Sequence, residues 1–222
     1  MPMKKPELYT PTIFIEVPMN NELSLYWNKR FRESEGKFFQ TSAFGIKACQ
    51  MVQEKNLVSL LELGSGKGRD TFHFDKQGLK VTAVDISDEL VKYVKKRSNA
   101  TVIQSDIKDI NFPGNHFDVV YARLSLHYFS NEDTEMIFGK IFNCLKPSGI
   151  FFAQCKSLND HDYGKGEKIA EHTFKHGHIR HFFSMEYMKE KAHKFNIIEL
   201  YEETDDNYGE QINTINLICS KP

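Results

Sequence analysis

Residues 58–68 read VSLLELGSGKG, an apolar run that ends at Leu63 in a turn with glycine at positions 64, 66 and 68. The chain then passes directly into a helix-length segment, Arg69 to Gln77. The run has the composition of a strand. Alternate glycines let the backbone approach a ligand that a side chain would hold off, and the helix behind them presents unpaired N–H groups. Strand, glycine loop and helix in this order open a parallel α/β sheet. The loop alone leaves the ligand open. Arg69 stands where the dinucleotide fingerprint G-x-G-x-x-G wants its last glycine, the G-K-[ST] ending of a P-loop is missing, and glycines also serve simply to make a tight turn.

Outward from this unit the pattern alternates. Strand-like runs recur at 80–85, 101–106, 117–122, 149–157, 196–203 and 214–220. Helix-length segments separate most of them: 88–97, 131–145 after the cap candidate Ser130, and 185–194 after Ser184. Helical crossovers imply parallel pairing, whereas the short polar link 204–213 joins the last two strands as a hairpin. Ahead of the first strand, Phe44, Ala48, Met51, Val52 and Lys55 mark one amphipathic helix, and Leu23 to Phe31 forms another. The predicted fold is α/β and Rossmann-like: a mostly parallel seven-stranded sheet with an antiparallel edge strand and helices on both faces. No repeat or linker divides the chain, so 1–222 is read as one domain. Its parts are an N-terminal helical cap region (1–56), a cofactor-binding core (57–157), a substrate-recognition insertion (158–184), and a C-terminal helix and strand hairpin (185–222).

The second strand ends at Asp85, where a carboxylate can accept both ribose hydroxyls of a nucleoside lying across the strand tips. Asp106 ends the third strand, where an acceptor beside an adenine amino group favours that base. Either acid could instead be solvated or cap a helix, but acids at the ends of consecutive strands form a pattern.

Bulk properties narrow the partners. Lys plus Arg number 29 and Asp plus Glu 30, so no basic field draws a nucleic-acid backbone. The apolar runs are too short to span a membrane, and the polar start MPMKKPELYT lacks the apolar core of a secretion signal, which predicts a cytoplasmic protein. Cys49, Cys144, Cys155 and Cys219 show no ligand spacing and are read as reduced core thiols.

In order along the chain, LLELGSGKGRD, TAVDIS, IQSDIKD, FDVVYARLSLHY and LKPSGIFFAQ resemble the class I S-adenosylmethionine-dependent methyltransferases across residues 57–157. The resemblance implies S-adenosylmethionine as cofactor, with S-adenosylhomocysteine as product. It places Gly64, Ser65 and Gly66 against it, Glu62 supporting the loop, and Asp85 with Ile86 at the ribose. Asp106 with Ile107 falls at the adenine, and Ala122 and Arg123 at the methionyl end. Many members carry a second glycine where this chain has Ser148. The segments Tyr26 to Phe31 and Gly68 to Ser87 look like the small-molecule branch that includes tellurite-resistance and thiopurine methyltransferases. Tyr121-Ala122-Arg123-Leu124 differs from the Asn-Pro-Pro-aromatic turn of nucleic-acid amino methylases, so the implied acceptor is a small molecule or oxyanion.

Residues 172–183, HTFKHGHIRHFF, concentrate polar chemistry after the fifth strand. If the segment is extended, His176, His178 and Arg180 share one face and His181 the other. A surface loop with locally bonded histidines is the plain alternative, and imidazoles without a nearby acid or thiolate make a metal site a poor fit. Arg180 and His181 are the first acceptor-contact candidates, with His178 and Tyr128 beside them; the next are His127 and Tyr128. An imidazole of near-neutral pKa suits a base, while Tyr26, Trp27 and Tyr128 can face the sulfonium or the acceptor as aromatic walls, with Trp27 counted among the cofactor contacts. A nicotinamide-dependent reductase shares the loop and Asp85 but leaves Asp106 and the LKPSG turn unexplained. A non-catalytic cofactor-binding protein is the other alternative; the chain is expected to act as a monomer or homodimer.

Overall fold

The computed structural model describes residues 21–34 and 40–222; the polar opening lies outside these. Helices α1 (Asn21–Glu33) and α2 (Ala43–Glu54) precede the first strand, β1 (Ser59–Leu63). Then come α3 (Thr71–Lys76), β2 (Lys80–Asp85), α4 (Asp88–Lys95), β3 (Thr101–Gln104), β4 (Phe117–Arg123), α5 (Asn131–Cys144) and β5 (Leu145–Lys156). Short strands β6 (Glu167–Ala170), β7 (Thr173–His176) and β8 (His178–His181) follow, and α6 (Met185–Lys191), β9 (Asn196–Asn207) and β10 (Glu210–Ser220) complete the chain. Where helices start, the sequence supplies their caps. The hydroxyls of Ser42, Ser87, Ser130 and Ser184 accept from the N–H groups of Gly45, Leu90, Asp133 and Tyr187.

The main sheet has the order β3-β2-β1-β4-β5-β10-β9. β1 to β5 pair in parallel, and β10 runs antiparallel to both β5 and β9. Side chains alternate between two cores. Leu60, Val119, Tyr121, Ile150 and Phe152 pack with α2, α3 and α4. Leu61, Val120, Ala122, Phe151 and Ala153 pack with α5 and α6 on the other face. All four cysteines are buried and free. Among the described residues no helix is long and apolar enough to cross a membrane.

Two expectations change. Residues 204–213 do not form an open link: β9 and β10 stay paired from Thr204–Asn213 out to Asn207–Glu210, so the turn is confined to Tyr208 and Gly209. Hairpin register is set by backbone pairing and a tight turn, which polar side chains do not prevent. The segment after β5 is also more ordered than a single extended stretch. β6, β7 and β8 make a separate antiparallel three-stranded sheet, in which His176 pairs with His178 across a turn at Gly177.

At the end of the sheet opposite the loops, Asp118 joins β4 to β1. Burial works against ionisation there, yet Lys146, the Ser59 hydroxyl and N–H, and the Val58 N–H hold the carboxyl down to about 2. The Ser59 hydroxyl donates at 2.6 Å and Lys146 at 2.8 Å. A folded pKa below the unfolded value of about 4 stabilises the fold above that pH, and the stabilisation is lost as pH falls toward about 2. Asp118→Asn should cost ~1–2 kcal/mol at neutral pH and remove that part of the acid-unfolding limb, which chemical denaturation at a series of pH values will measure.

Candidate active site

In an open parallel sheet the crevice forms where strand order reverses. Here that point lies between β1, which continues toward β2 and β3, and β4, which continues toward β5. A cleft of about 670 Å³ opens at the carboxyl ends of these strands. One half is built by the glycine loop and the acids that follow β2 and β3. The other is walled by α1, the short helical turn Leu126–Tyr128 after β4, the end of β5, and β8.

The loop leaves β1 by hanging on its neighbour: the Gly64 and Ser65 N–H groups donate to the Val84 carbonyl at 2.8 and 3.1 Å. Both Gly64 and Gly66 have positive φ, +79° and +52°, but for different reasons. A Cβ on Gly64 would stand 2.5 Å from the Ser125 Cβ, so this glycine lets the loop pack on the segment after β4. A Cβ on Gly66 would meet no atom within 4 Å. It would project into open space in a loop that lines the cleft. Beside it the buried Ser65 hydroxyl has no hydrogen-bond partner.

Asp85 is buried and accepts from the Gly66 N–H at 2.7 Å through Oδ2 and from the Ser87 N–H at 2.9 Å through Oδ1. Burial raises its pKa, and these N–H bonds oppose the rise. Glu62, also buried, accepts from the Thr71 hydroxyl at 2.5 Å; burial and then the neighbouring Asp70 charge raise its carboxyl well above the ordinary range. Asp106 lines the cleft beside Ile107, with its own N-cap bond from the Lys108 N–H at 3.1 Å. Ile86 lines the same half.

At the end of β4 alternation separates two predicted neighbours. Arg123 lines the cleft, where it is ion-paired to Asp205 of β9 at 3.1 Å, its side chain only 8% exposed. Ala122 does not line it: its methyl is buried in the core against α5 and α6, a correction that follows from the period of two along a strand.

The other half gathers residues distant in sequence. Tyr26 and Trp27 of α1, Tyr128 and His178 form one aromatic cluster, with ring centroids 4.9–5.8 Å from the His178 ring. Arg180 donates to Asp162 at 2.8 Å and contacts His178 Nε2 at 3.0 Å. Lys156, at the end of β5, donates to Asp160 at 2.8 Å and to Asp162 at 2.7 Å. His127 is fully buried at the cleft, with neither ring nitrogen bonded. Burial, followed by the charges of Arg180 and Lys156, pushes its pKa well down; His178 is pushed down to about 4 by burial and then Arg180. These imidazoles are therefore neutral at neutral pH and weaker bases than an exposed histidine.

His181 is the second correction. It lies on the opposite face of β8 from His178 and Arg180, buried against Phe183 and Tyr187, and does not line the cleft. Asp160, His161 and Asp162 bring ligand atoms within 4.8 Å of one another, but their carboxylates already serve Lys156, Lys165 and Arg180. Sequence reasoning passed over Lys156, Asp162 and Asp205. The rule that found Asp85, a polar residue at a strand's carboxyl end, would also have found Lys156.

Comparison with known proteins agrees with this geometry. Residues 61–153 match the family model described as a methyltransferase domain. The chain has the fold of the class I methyltransferases. Phosphoethanolamine N-methyltransferase 1 of Triticum aestivum is 31% identical over 101 residues, covering 42% of this chain and 20% of that protein. Carboxy-S-adenosyl-L-methionine synthase of Vibrio parahaemolyticus is 29% identical over 146 residues, 60% of this chain and 58% of that one. The chain thus spans less than two thirds of these relatives. A Burkholderia thailandensis 1,6-didemethyltoxoflavin-N1-methyltransferase has the same fold, with a TM-score of 0.66 and 18% identity over 90% of this chain and 85% of that one. A Methanosarcina mazei S-adenosylmethionine-dependent methyltransferase aligns with a TM-score of 0.67 and 18% identity, covering 76% of this chain and 96% of that one.

Gly64 and Gly66 of the loop separate packing from access. Gly64→Ala should destabilise by ~2–4 kcal/mol, through the clash with Ser125 added to left-handed strain, whereas Gly66→Ala should cost only ~1 kcal/mol. Urea unfolding of the two variants checks this order.

Proposed function

We propose that the protein transfers a methyl group from S-adenosylmethionine to a small-molecule acceptor, and the observation that carries this reading is Asp85. Its buried carboxylate sits at the end of β2, each oxygen holding one backbone N–H of the loop or the next helix. A carboxylate oxygen accepts more than one bond, so both keep capacity for a pair of ribose hydroxyls. The open space beyond Gly66 and the unpartnered Ser65 hydroxyl fit a ligand lying along the loop. Asp106 and Ile107 offer an acceptor and an apolar surface to adenine, and Ile86 a second apolar contact near the ribose. Glu62 and Asp70 bring carboxyl groups to the inner end, where they can meet the sulfonium and ammonium of the cofactor. Domain boundaries follow the same division, with residues 158–184 contributing to the acceptor side.

Bound there, S-adenosylmethionine supplies a methyl carbon that an acceptor lone pair takes in line, as the carbon–sulfur bond breaks with its electrons on sulfur. The chain's contribution is alignment and exclusion of water. Holding two reactants in register is worth roughly 7–11 kcal/mol in well-aligned systems. Because His127 and His178 are neutral weak bases, their role is to orient the acceptor by hydrogen bonding more than to collect its proton. Arg123, tied to Asp205, and Arg180, tied to Asp162, shape the cleft from both sides. Lys156 and Arg180 are both paired with carboxylates, which favours a small organic acceptor over a free oxyanion.

Calorimetry with S-adenosylhomocysteine tests the reading. The parent should bind it and not NAD(H); Asp85→Ala should weaken binding by ~1–3 kcal/mol, and Gly66→Val should fold without binding. Equal affinity of the Asp85→Ala variant, or tight binding of NAD(H) in its place, would overturn the assignment.

A further inference from the structure

The aromatic end of the cleft holds a histidine whose tautomer the geometry determines. A guanidinium has donors and no acceptor, so the 3.0 Å contact from Arg180 Nη2 makes His178 Nε2 the accepting nitrogen. The neutral ring then carries its hydrogen on Nδ1. That atom is buried and has no partner. Three aromatic rings pack on the imidazole, with centroids separated from its own by 4.9 Å for Tyr26 and 5.8 Å for Trp27 of α1, and by 4.9 Å for Tyr128 of the turn after β4. Trp27 also meets Tyr128 at 5.2 Å, so elements far apart in the sequence close on one place.

Charge at this end is balanced. Lys156 is bonded to the carboxylates of both Asp160 and Asp162, and Arg180 to that of Asp162, at 2.7–2.8 Å. Arg30 at the rim pairs with Glu33 at 3.5 Å. Among the described residues at this end, an anion finds Lys156 and Arg180 already bonded to carboxylates, and a cation finds Asp160 and Asp162 already bonded to those two cations. Aromatic walls favour flat conjugated surface, because ring edges and faces attract other rings beyond simple area burial. A buried N–H without a partner strongly disfavours any occupant that lacks a lone pair to meet it.

We infer that this compartment is the acceptor subsite and takes an uncharged, flat conjugated molecule bearing a lone-pair oxygen or ring nitrogen. The acceptor lies among Tyr26, Trp27 and Tyr128 and accepts from His178 Nδ1, while Arg180 is a positioning residue that holds the imidazole in the required tautomer. This assignment rests on the preceding one, in which the glycine-loop half holds the cofactor.

Trp27 is the only tryptophan of the chain, so its indole N–H gives a single reporter signal in the nitrogen-labelled protein. With S-adenosylhomocysteine saturating, neutral naphthol and quinoline should shift that signal saturably. Decahydronaphthol, which is saturated, and naphthoate, which is charged, should bind at least tenfold more weakly. His178→Ala should weaken naphthol about tenfold, and His178→Asn, which restores an N–H donor, should recover most of the loss. Ring-nitrogen shifts should show the Nδ1–H form of His178 in the parent and its loss in Arg180→Ala. S-adenosylhomocysteine affinity should stay within about twofold of the parent in all three variants. Equal binding of naphthoate or decahydronaphthol, or no response to either flat probe in protein that binds S-adenosylhomocysteine, would overturn the acceptor assignment alone. Failure to bind S-adenosylhomocysteine would instead overturn the cofactor reading.

Discussion

The two bonds from the Asp85 carboxylate to the Gly66 and Ser87 N–H groups, 2.7 and 2.9 Å long, set the rest of the site. They tie the end of β2 to the loop after β1 and to the start of α4, so three chain segments meet at one buried anion. Ser87 is fixed in turn from outside: its hydroxyl donates to the Asn28 amide oxygen at 2.5 Å, and the Asn28 amide donates to Asp88 at 2.8 Å. Asn28 follows Trp27 in the sequence, so the same helix that docks on α4 carries the aromatic wall of the other half. A change at Asp85 therefore acts on the loop first and on the placement of α1 second.

Asp70 performs a related task one turn into the loop's helix side. It accepts from the Ser42 N–H and hydroxyl, at 2.9 and 2.8 Å, and from the Tyr121 hydroxyl at 2.8 Å. This joins the N-terminus of α2 to β4 beneath the glycine loop. A buried carboxylate satisfied by three donors is stable only while all three stay in place, so it constrains the loop geometrically. The fold and the site share these residues, and their effects on stability and binding are coupled.

Much of the architecture was legible because its signals are local. Strand runs, the helix caps at Ser130 and Ser184, the glycine loop and the strand-end acids each lie within a few consecutive residues. Alternation also separated His181 from His178 and Arg180 in advance, although it was not used to reject His181 as an acceptor contact. The same rule would have turned Ala122 toward the core. The contacts out of reach were those joining segments far apart in sequence: Arg123 to Asp205 and Arg180 to Asp162. Their partners lie in stretches whose polarity reads as solvated loop, and only the paired β9–β10 hairpin and the β6–β8 sheet bring them to the cleft.

These long-range pairs explain why a cleft holding so many ionisable groups has two different characters. At the loop end, Glu62 and Asp85 are buried carboxylates whose raised pKa values record the cost of keeping charge out of water without a cation. That cost falls when a positively charged ligand arrives, so the site gains most from a cationic occupant there. At the aromatic end, each cation already has its carboxylate, and a charged occupant would have to compete with bonds of 2.7–2.8 Å. The proposed pairing of a cationic donor at one end with an uncharged acceptor at the other rests on the same principle applied to two differently compensated environments.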